Sequence, residues 1–228
     1  MRLALVAADP ASQQCLLEPA WAELGRRGHR LVFVGGREGA AAASATPGHA
    51  ADRLLCAPGN WSWRSNAGGR SSLADGADTL VFLTGPLPAV PEQLLQAARR
   101  LERVGADWGI FSLAPPRAPG LRGHGLRGIF GLDRLGTRVT GVAGPGDALL
   151  LRAASFAALG GFDLAASQAA TELCRRARLL GRPLVAAAVP CAGPATGCAP
   201  APSPPAWRAL GQALARLRRH FTGPPGGG

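Results

Sequence analysis

The chain has 228 residues, 47% hydrophobic and 17% charged, which suits one globular domain with a sizeable core and excludes a disordered polymer. Basic residues outnumber acidic ones by 25 − 14 = 11, and every basic side chain is arginine, a residue that favours planar anions such as phosphate groups, acidic lipid or nucleic acid. No apolar run approaches the roughly 18 residues needed to span a bilayer, and "MRLALVAADP" reaches Asp9 too soon for a signal peptide, so the reading is a cytoplasmic chain.

In chain order, residues 3–7 read as a first buried strand and Gln13 to Arg27 as a helix with Leu16, Leu17, Trp21 and Leu24 on one face. "HRLVFVGGREG" predicts a strand running into glycines, and "RLLCAPG" a third strand and turn. Ser65 to Leu73 is a helix candidate. "TLVFLTGPLPAVPEQLL" supplies a strand, a loop and a helix opened by Pro91 that runs to about Arg103. "DWGIFSL" is a further strand, and residues 114–128 are a Pro-, Gly- and Arg-rich excursion. "GDALLLRAASFAALGGF" predicts a strand, a short helix and a glycine stop; "TELCRRARLLGRP" is a basic helix and "LVAAAV" a last strand.

This alternation predicts a mainly parallel sheet flanked by helices, with ligands beyond the carboxyl ends of the strands. Residues 1–190 form the expected domain, 191–204 a Pro/Ala-rich linker, 205–221 a basic amphipathic helix and 222–228 a disordered tail. The closing helix carries Trp207, Leu210, Leu214, Leu217 and Phe221 on one face. It suits packing on its own domain, and its arginines leave open a peripheral contact with an anionic inner membrane. No nucleic-acid reader motif is present, so specific nucleic-acid binding is not expected.

The five cysteines and four histidines are dispersed, with no Cys-x-x-Cys pair, which argues against a zinc site or a disulfide framework. Gly35, Gly36 and Gly39 follow the second strand with the wrong spacing for a dinucleotide fingerprint, and a plain turn is the better reading.

Three segments in order resemble a known family. "APGNWSWRSNAGGRSSLADGADTLVFL" is similar to the Pro-Gly-Arg…Asn-Ala-Gly…Ala-x-Gly-Asp…Leu-Phe-Leu passage of family 2 glycosyltransferases, nearest a compact bacterial branch often labelled arsenosugar-biosynthesis-like. "GDALLLRAASFAALGGFD" resembles its Gly-Asp-Gln…Phe-x-x-Leu-Gly-Gly-Phe passage, and "TELCRRARLLGRP" its Glu-Leu-Ser-Arg-Arg-Leu-Arg…Gly-Arg-Pro helix. Together they cover about residues 57–183.

The resemblance implies a GT-A-like (Rossmann-like) α/β fold in a single domain, a nucleotide-sugar donor, a divalent metal held by acidic residues at a strand end, and a carboxylate base. Three acidic stations of the family are vacant in this sequence. Thr84-Gly85-Pro86-Leu87 stands where His-Ala-Asp-Thr would follow the strand; Ala169 and Ala170 replace a Glu-Asp pair; Val34-Gly35-Gly36-Arg37 lacks an Asp. The expectation is therefore no metal site, and a transferase that is impaired or metal-independent. The alternative is a non-catalytic relative that binds a nucleotide, a sugar or a partner transferase. Arg64, Asn66, Arg70, Thr84, Gly146, Asp147 and Arg176 are the candidate nucleotide-sugar contacts, with Asp147, matched to the family's Gly-Asp, the one weak catalytic candidate. Besides Asp147, Asp75, Asp78, Asp163 and Glu172 are the acids of the three matched segments, and Asp78 is expected at the wrong end of its strand.

Overall fold

In a computed structural model, residues 1–9, 12–13, 19–35, 53–85, 91–113, 141–143, 147–181 and 183–188 are described. They form β1 (Leu3–Ala7), α1 (Pro19–Arg26), β2 (Arg30–Gly35), β3 (Arg53–Cys56), α2 (Trp61–Ala74), β4 (Thr79–Leu83), α3 (Pro91–Arg103), β5 (Trp108–Leu113), β6 (Ala148–Arg152), α4 (Ala153–Ala158), α5 (Ala169–Ala177) and β7 (Leu184–Ala188). Residues 36–39, expected to form a glycine turn, the excursion at 114–128, and the expected linker, closing helix and tail lie outside the described residues.

The strands build one seven-stranded sheet in the order β3-β2-β1-β4-β6-β5-β7. All pairs are parallel except those of β6, which runs antiparallel between β4 and β5. Strands covered on both faces need apolar side chains in both directions. Accordingly β1 and β4 read LALVA and TLVFL and are buried at every position. Their side chains divide by alternation. Leu3, Leu5, Val81 and Leu83 join Trp21, Leu24, Leu94 and Leu101 on the α1/α3 face. Ala4, Val6, Leu80 and Phe82 join Phe156, Phe162, Leu173 and Cys174 on the other.

Two of the helical contacts with the sheet differ in kind. Helix α3 lays Leu94, Leu95, Ala97, Ala98 and Leu101 on the sheet and turns Arg99, Arg100, Glu102 and Arg103 outward. Helix α2 has no apolar stripe. Its buried residues are Ser62, Ser65, Asn66, Gly68, Gly69 and Ser72. Close approach replaces side-chain volume there: a Cβ on Gly68 would sit 2.5 Å from a Val6 methyl, and one on Gly69 2.6 Å from the Phe156 ring. The helix begins four residues earlier than the Ser65 start expected from the sequence, because Asn60 caps it, its Oδ1 accepting the Trp63 N–H at 3.1 Å.

No helix among the described residues is long and apolar enough to cross a membrane.

Candidate functional site

The strand order reverses beside β1: β2 and β3 follow on one side and β4 on the other. Open α/β sheets bind ligands at such a switch, beyond the carboxyl ends of the strands. At the tip of β1, Asp9 accepts hydrogen bonds from the Ser12 N–H and hydroxyl. Gln13 Nε2 donates to the carbonyls of Ala7 and Val34 at 3.2 and 3.0 Å, tying the ends of β1 and β2 together. At the tip of β4, the Trp61 indole N–H donates to the Leu83 carbonyl at 3.3 Å, which brings the first turn of α2 to the switch.

The antiparallel strand completes the edge. Because β6 runs against its neighbours, it begins where they end, with Ala148 paired to both Leu83 and Phe111. Asp147 is therefore set at the carboxyl edge between Thr84 and Ser112. Its backbone carbonyl accepts the Thr84 N–H at 3.2 Å and the Thr84 hydroxyl at 2.6 Å. Its carboxylate accepts the Ser112 hydroxyl at 2.6 Å, and the residue is only 6% exposed. Cys174 of α5 lies within electrostatic reach. Burial above all, with Asp147 adding to it, pushes that thiol up to about 12, so it stays protonated and inert.

The other sequence candidates divide. Asn66 Nδ2 donates to the Phe162 carbonyl and its Oδ1 accepts the Phe162 N–H. Arg176 donates to the carbonyls of Leu159 and Gly161 at 2.6 and 2.7 Å. Both side chains thus hold the Leu-Gly-Gly-Phe turn, whose Phe162 packs edge-on against Trp61 with ring centroids 4.8 Å apart. Arg64, on the first turn of α2, is half-buried; its Nε is buried with no hydrogen-bond partner, and no described carboxylate pairs with it. Arg70 is exposed about 9 Å further along the helix and about a third of a turn round from Arg64, so the two guanidinium groups are not brought together. Gly146 lies outside the described residues.

The other acids of the matched segments are placed away from this edge or spent on structure. Asp78 sits at the opposite end of β4, accepting the Arg2 N–H at 2.6 Å, as its position before the strand implied. Asp75 caps α2 and pairs with Arg30. Glu172 pairs with Arg175, whose hydrogen bond holds that carboxyl below the usual range. Asp163 is exposed and accepts the Ala165 N–H. Ala169 and Ala170 pack against the apolar cluster of their face.

A divalent metal needs several oxygen ligands converging on one point. Among the described residues no three His, Cys, Asp or Glu side chains group in that way. Asp9 and Asp147 are separated by two strand spacings, about 10 Å, and both already accept hydroxyl hydrogen bonds. The described donors do not fit a metal. Sequence reading missed Ser112 and the Asp9–Ser12–Gln13 group. Their signals were a lone polar residue late in an apolar strand and polar residues directly after the first one.

No protein-family model matches the chain, and no curated protein matches it by sequence. Solved structures do. A mannosyltransferase from Pyrobaculum calidifontis, in complex with GDP-Man and Mn2+, superposes with a TM-score of 0.55 at 13% identity, over 98% of this chain and 76% of its own. A protein assigned as a nucleotide-diphospho-sugar transferase from Desulfovibrio desulfuricans G20 gives a TM-score of 0.43 at 11% identity, over 96% and 99%, a looser match that adds nothing to the fold. The chain has a GT-A-like α/β fold, with a mostly parallel sheet flanked by helices.

Proposed function

We propose that this chain takes a nucleotide-sugar at the carboxyl edge of its sheet, beside the β1–β4 switch, and that it descends from the family 2 glycosyltransferases its sequence resembles. The observation that carries the reading is the buried Asp147 carboxylate, presented at that edge by an antiparallel strand in a fold shared with a mannosyltransferase. In the reaction considered, an acceptor hydroxyl attacks the anomeric carbon, the bond to the diphosphate breaks, the nucleoside diphosphate leaves with the electron pair, and the acceptor's proton is released to solvent. Arg64 is the group assigned to the diphosphate, since a guanidinium can form paired, charge-assisted hydrogen bonds to phosphate oxygens. Thr84 and Asp147 form the polar floor toward the sugar hydroxyls. Asn66 and Arg176 act indirectly, by fixing the turn at the rim.

A second reading is favoured by Ala169 and Ala170. Side chains packed into an apolar cluster cannot take the acceptor's proton, and a positioned base contributes about a hundred- to ten-thousandfold in rate. On that reading the protein binds a nucleotide-sugar, or a partner transferase, without efficient turnover.

Thermal-shift titration with UDP-, GDP- and dTDP-sugars, with and without manganese, tests both. Stabilisation without manganese is expected, about 2.7 kcal/mol at a hundredfold excess over Kd. Stabilisation that requires manganese would overturn the metal-free site, and none with any nucleotide would sink the nucleotide reading. Release of nucleoside diphosphate in the presence of acceptors separates an enzyme from a binder.

A further inference from the structure

The amino ends of the strands, opposite the crevice, carry a second polar cluster. His29 precedes β2 and is 7% exposed, with Nδ1 accepting the Leu3 N–H at 3.3 Å. An acceptor at Nδ1 puts the neutral ring's proton on Nε2. That N–H has no partner among the described residues. The ring lines an open cleft of about 510 Å3, together with Met1, Arg99, Glu102 and Arg103. Arg99 and Arg103 stand one turn apart on the outer face of α3, and neither pairs with a described carboxylate. Two like charges at this spacing oppose the helix unless something neutralises them.

We propose that this cleft binds a phosphate group, held by the two guanidinium forks and by the Nε2–H of His29. Every one of these groups is a hydrogen-bond donor, and phosphate oxygens are acceptors that two arginines can grip in parallel. Glu102, the single acid among the described lining residues, is exposed and pairs with neither arginine. The groups around the imidazole agree with an anion site. Burial, Arg99, the amino group of Met1 and Arg27 all disfavour its charged form, with Glu92 the lone opposing influence, so the ring waits as a neutral donor. The site lies at the opposite end of the strands from Asp147, more than a strand's length of about 17 Å away, and does not depend on how the crevice is read.

The phosphate has two sources, a soluble metabolite or an anionic lipid headgroup, and one experiment separates them. The full chain is titrated with inorganic phosphate against chloride at equal ionic strength, following the His29 ring signals by NMR, assigned through His29→Gln. The variants are Arg99→Ala/Arg103→Ala and, as a control on the same helix but outside the cleft, Arg100→Ala. Each protein is also floated with phosphatidylcholine vesicles with and without phosphatidic acid. Saturable movement of the His29 signals, weakened about tenfold or more in the double variant and kept in the control, is expected for loss of charge-assisted hydrogen bonds. Flotation that needs phosphatidic acid and is lost in the double variant assigns the headgroup; phosphate saturation without flotation assigns a soluble ligand. Neither response, or responses equal in the double variant and the wild type, would overturn the site. Circular dichroism of the double variant guards against unfolding, and both replaced side chains are exposed.

Discussion

Asn66 and Phe162, 96 positions apart, exchange two hydrogen bonds: Asn66 Nδ2 donates to the Phe162 carbonyl at 2.9 Å, and Asn66 Oδ1 accepts the Phe162 N–H at 2.8 Å. An asparagine amide mimics a strand partner here, satisfying both backbone groups of a residue buried outside the sheet. The clasp joins the α2 segment to the turn before α5, so the wall of the crevice depends on it.

Asn66→Ala leaves a buried N–H and a buried carbonyl unpaired, and each such loss costs about 1–3 kcal/mol. Urea unfolding should register a loss of about 2–4 kcal/mol. A change below about 0.5 kcal/mol would show that the clasp contributes little. Gly161→Ala should do comparable damage for a different reason. Its φ of +82° suits glycine, and a Cβ would lie 2.4 Å from Asn66 Oδ1, so the strained turn and the broken clasp coincide.

Alkaline stability should follow Cys174. The chain has no tyrosine and no lysine, which leaves thiols as the side chains that titrate between pH 9 and 12. The buried thiol is raised from 9.0 to about 12, so above pH 9 the unfolded chain loses this proton while the folded one keeps it. Stability is then full below pH 9 and falls by roughly 1.4 kcal/mol per pH unit toward pH 12. Denaturant midpoints for wild type and Cys174→Ala should converge as pH rises across this window. Parallel curves would contradict the assignment.

On the acid side His29 should act in the opposite sense. Its folded-state value lies below 6.5, so as pH falls below 6.5 the unfolded chain takes up a proton that the buried ring refuses. That contribution is present above pH 6.5 and is lost on acidification through the folded value. Protonation at Nδ1 would also end its acceptance of the Leu3 N–H. His29→Gln should flatten the stability profile between pH 6.5 and the carboxylate range, measured by thermal melts in matched ionic strength.

Asp147 separates binding from folding. Asp147→Asn keeps the volume and the Ser112 contact, and it should leave the fold within about 1–2 kcal/mol of wild type. The nucleotide-sugar thermal shift should fall to a small fraction. Retention of the full shift would remove Asp147 from the site.

The element pattern was legible in the chain because two-sided burial writes itself as unbroken apolar runs: LALVA, LVFV and TLVFL are the buried stretches of β1, β2 and β4, which pair in parallel. Arginine excess was legible too. Two things were not. Helix α2 carries no apolar period, since glycines and serines let it approach the sheet directly, and so its full extent escaped a reading based on periodicity. The roles of Asn66 and Arg176 were equally hidden. A side chain's partner 96 or 15 positions away leaves no local trace, and both turn inward to a backbone turn.

Composition and spacing by themselves determined an alternating α/β domain, rich in arginine and short of carboxylates where its resemblance implies them. Only the tertiary structure decided that β6 enters the sheet antiparallel, and this reversal brings Asp147 to the edge where β4 and β5 end, beside Thr84 and Ser112. The physical reason is that strand direction is set by pairing with distant neighbours. An apolar run such as ALLLR reads the same whichever way it is laid between them.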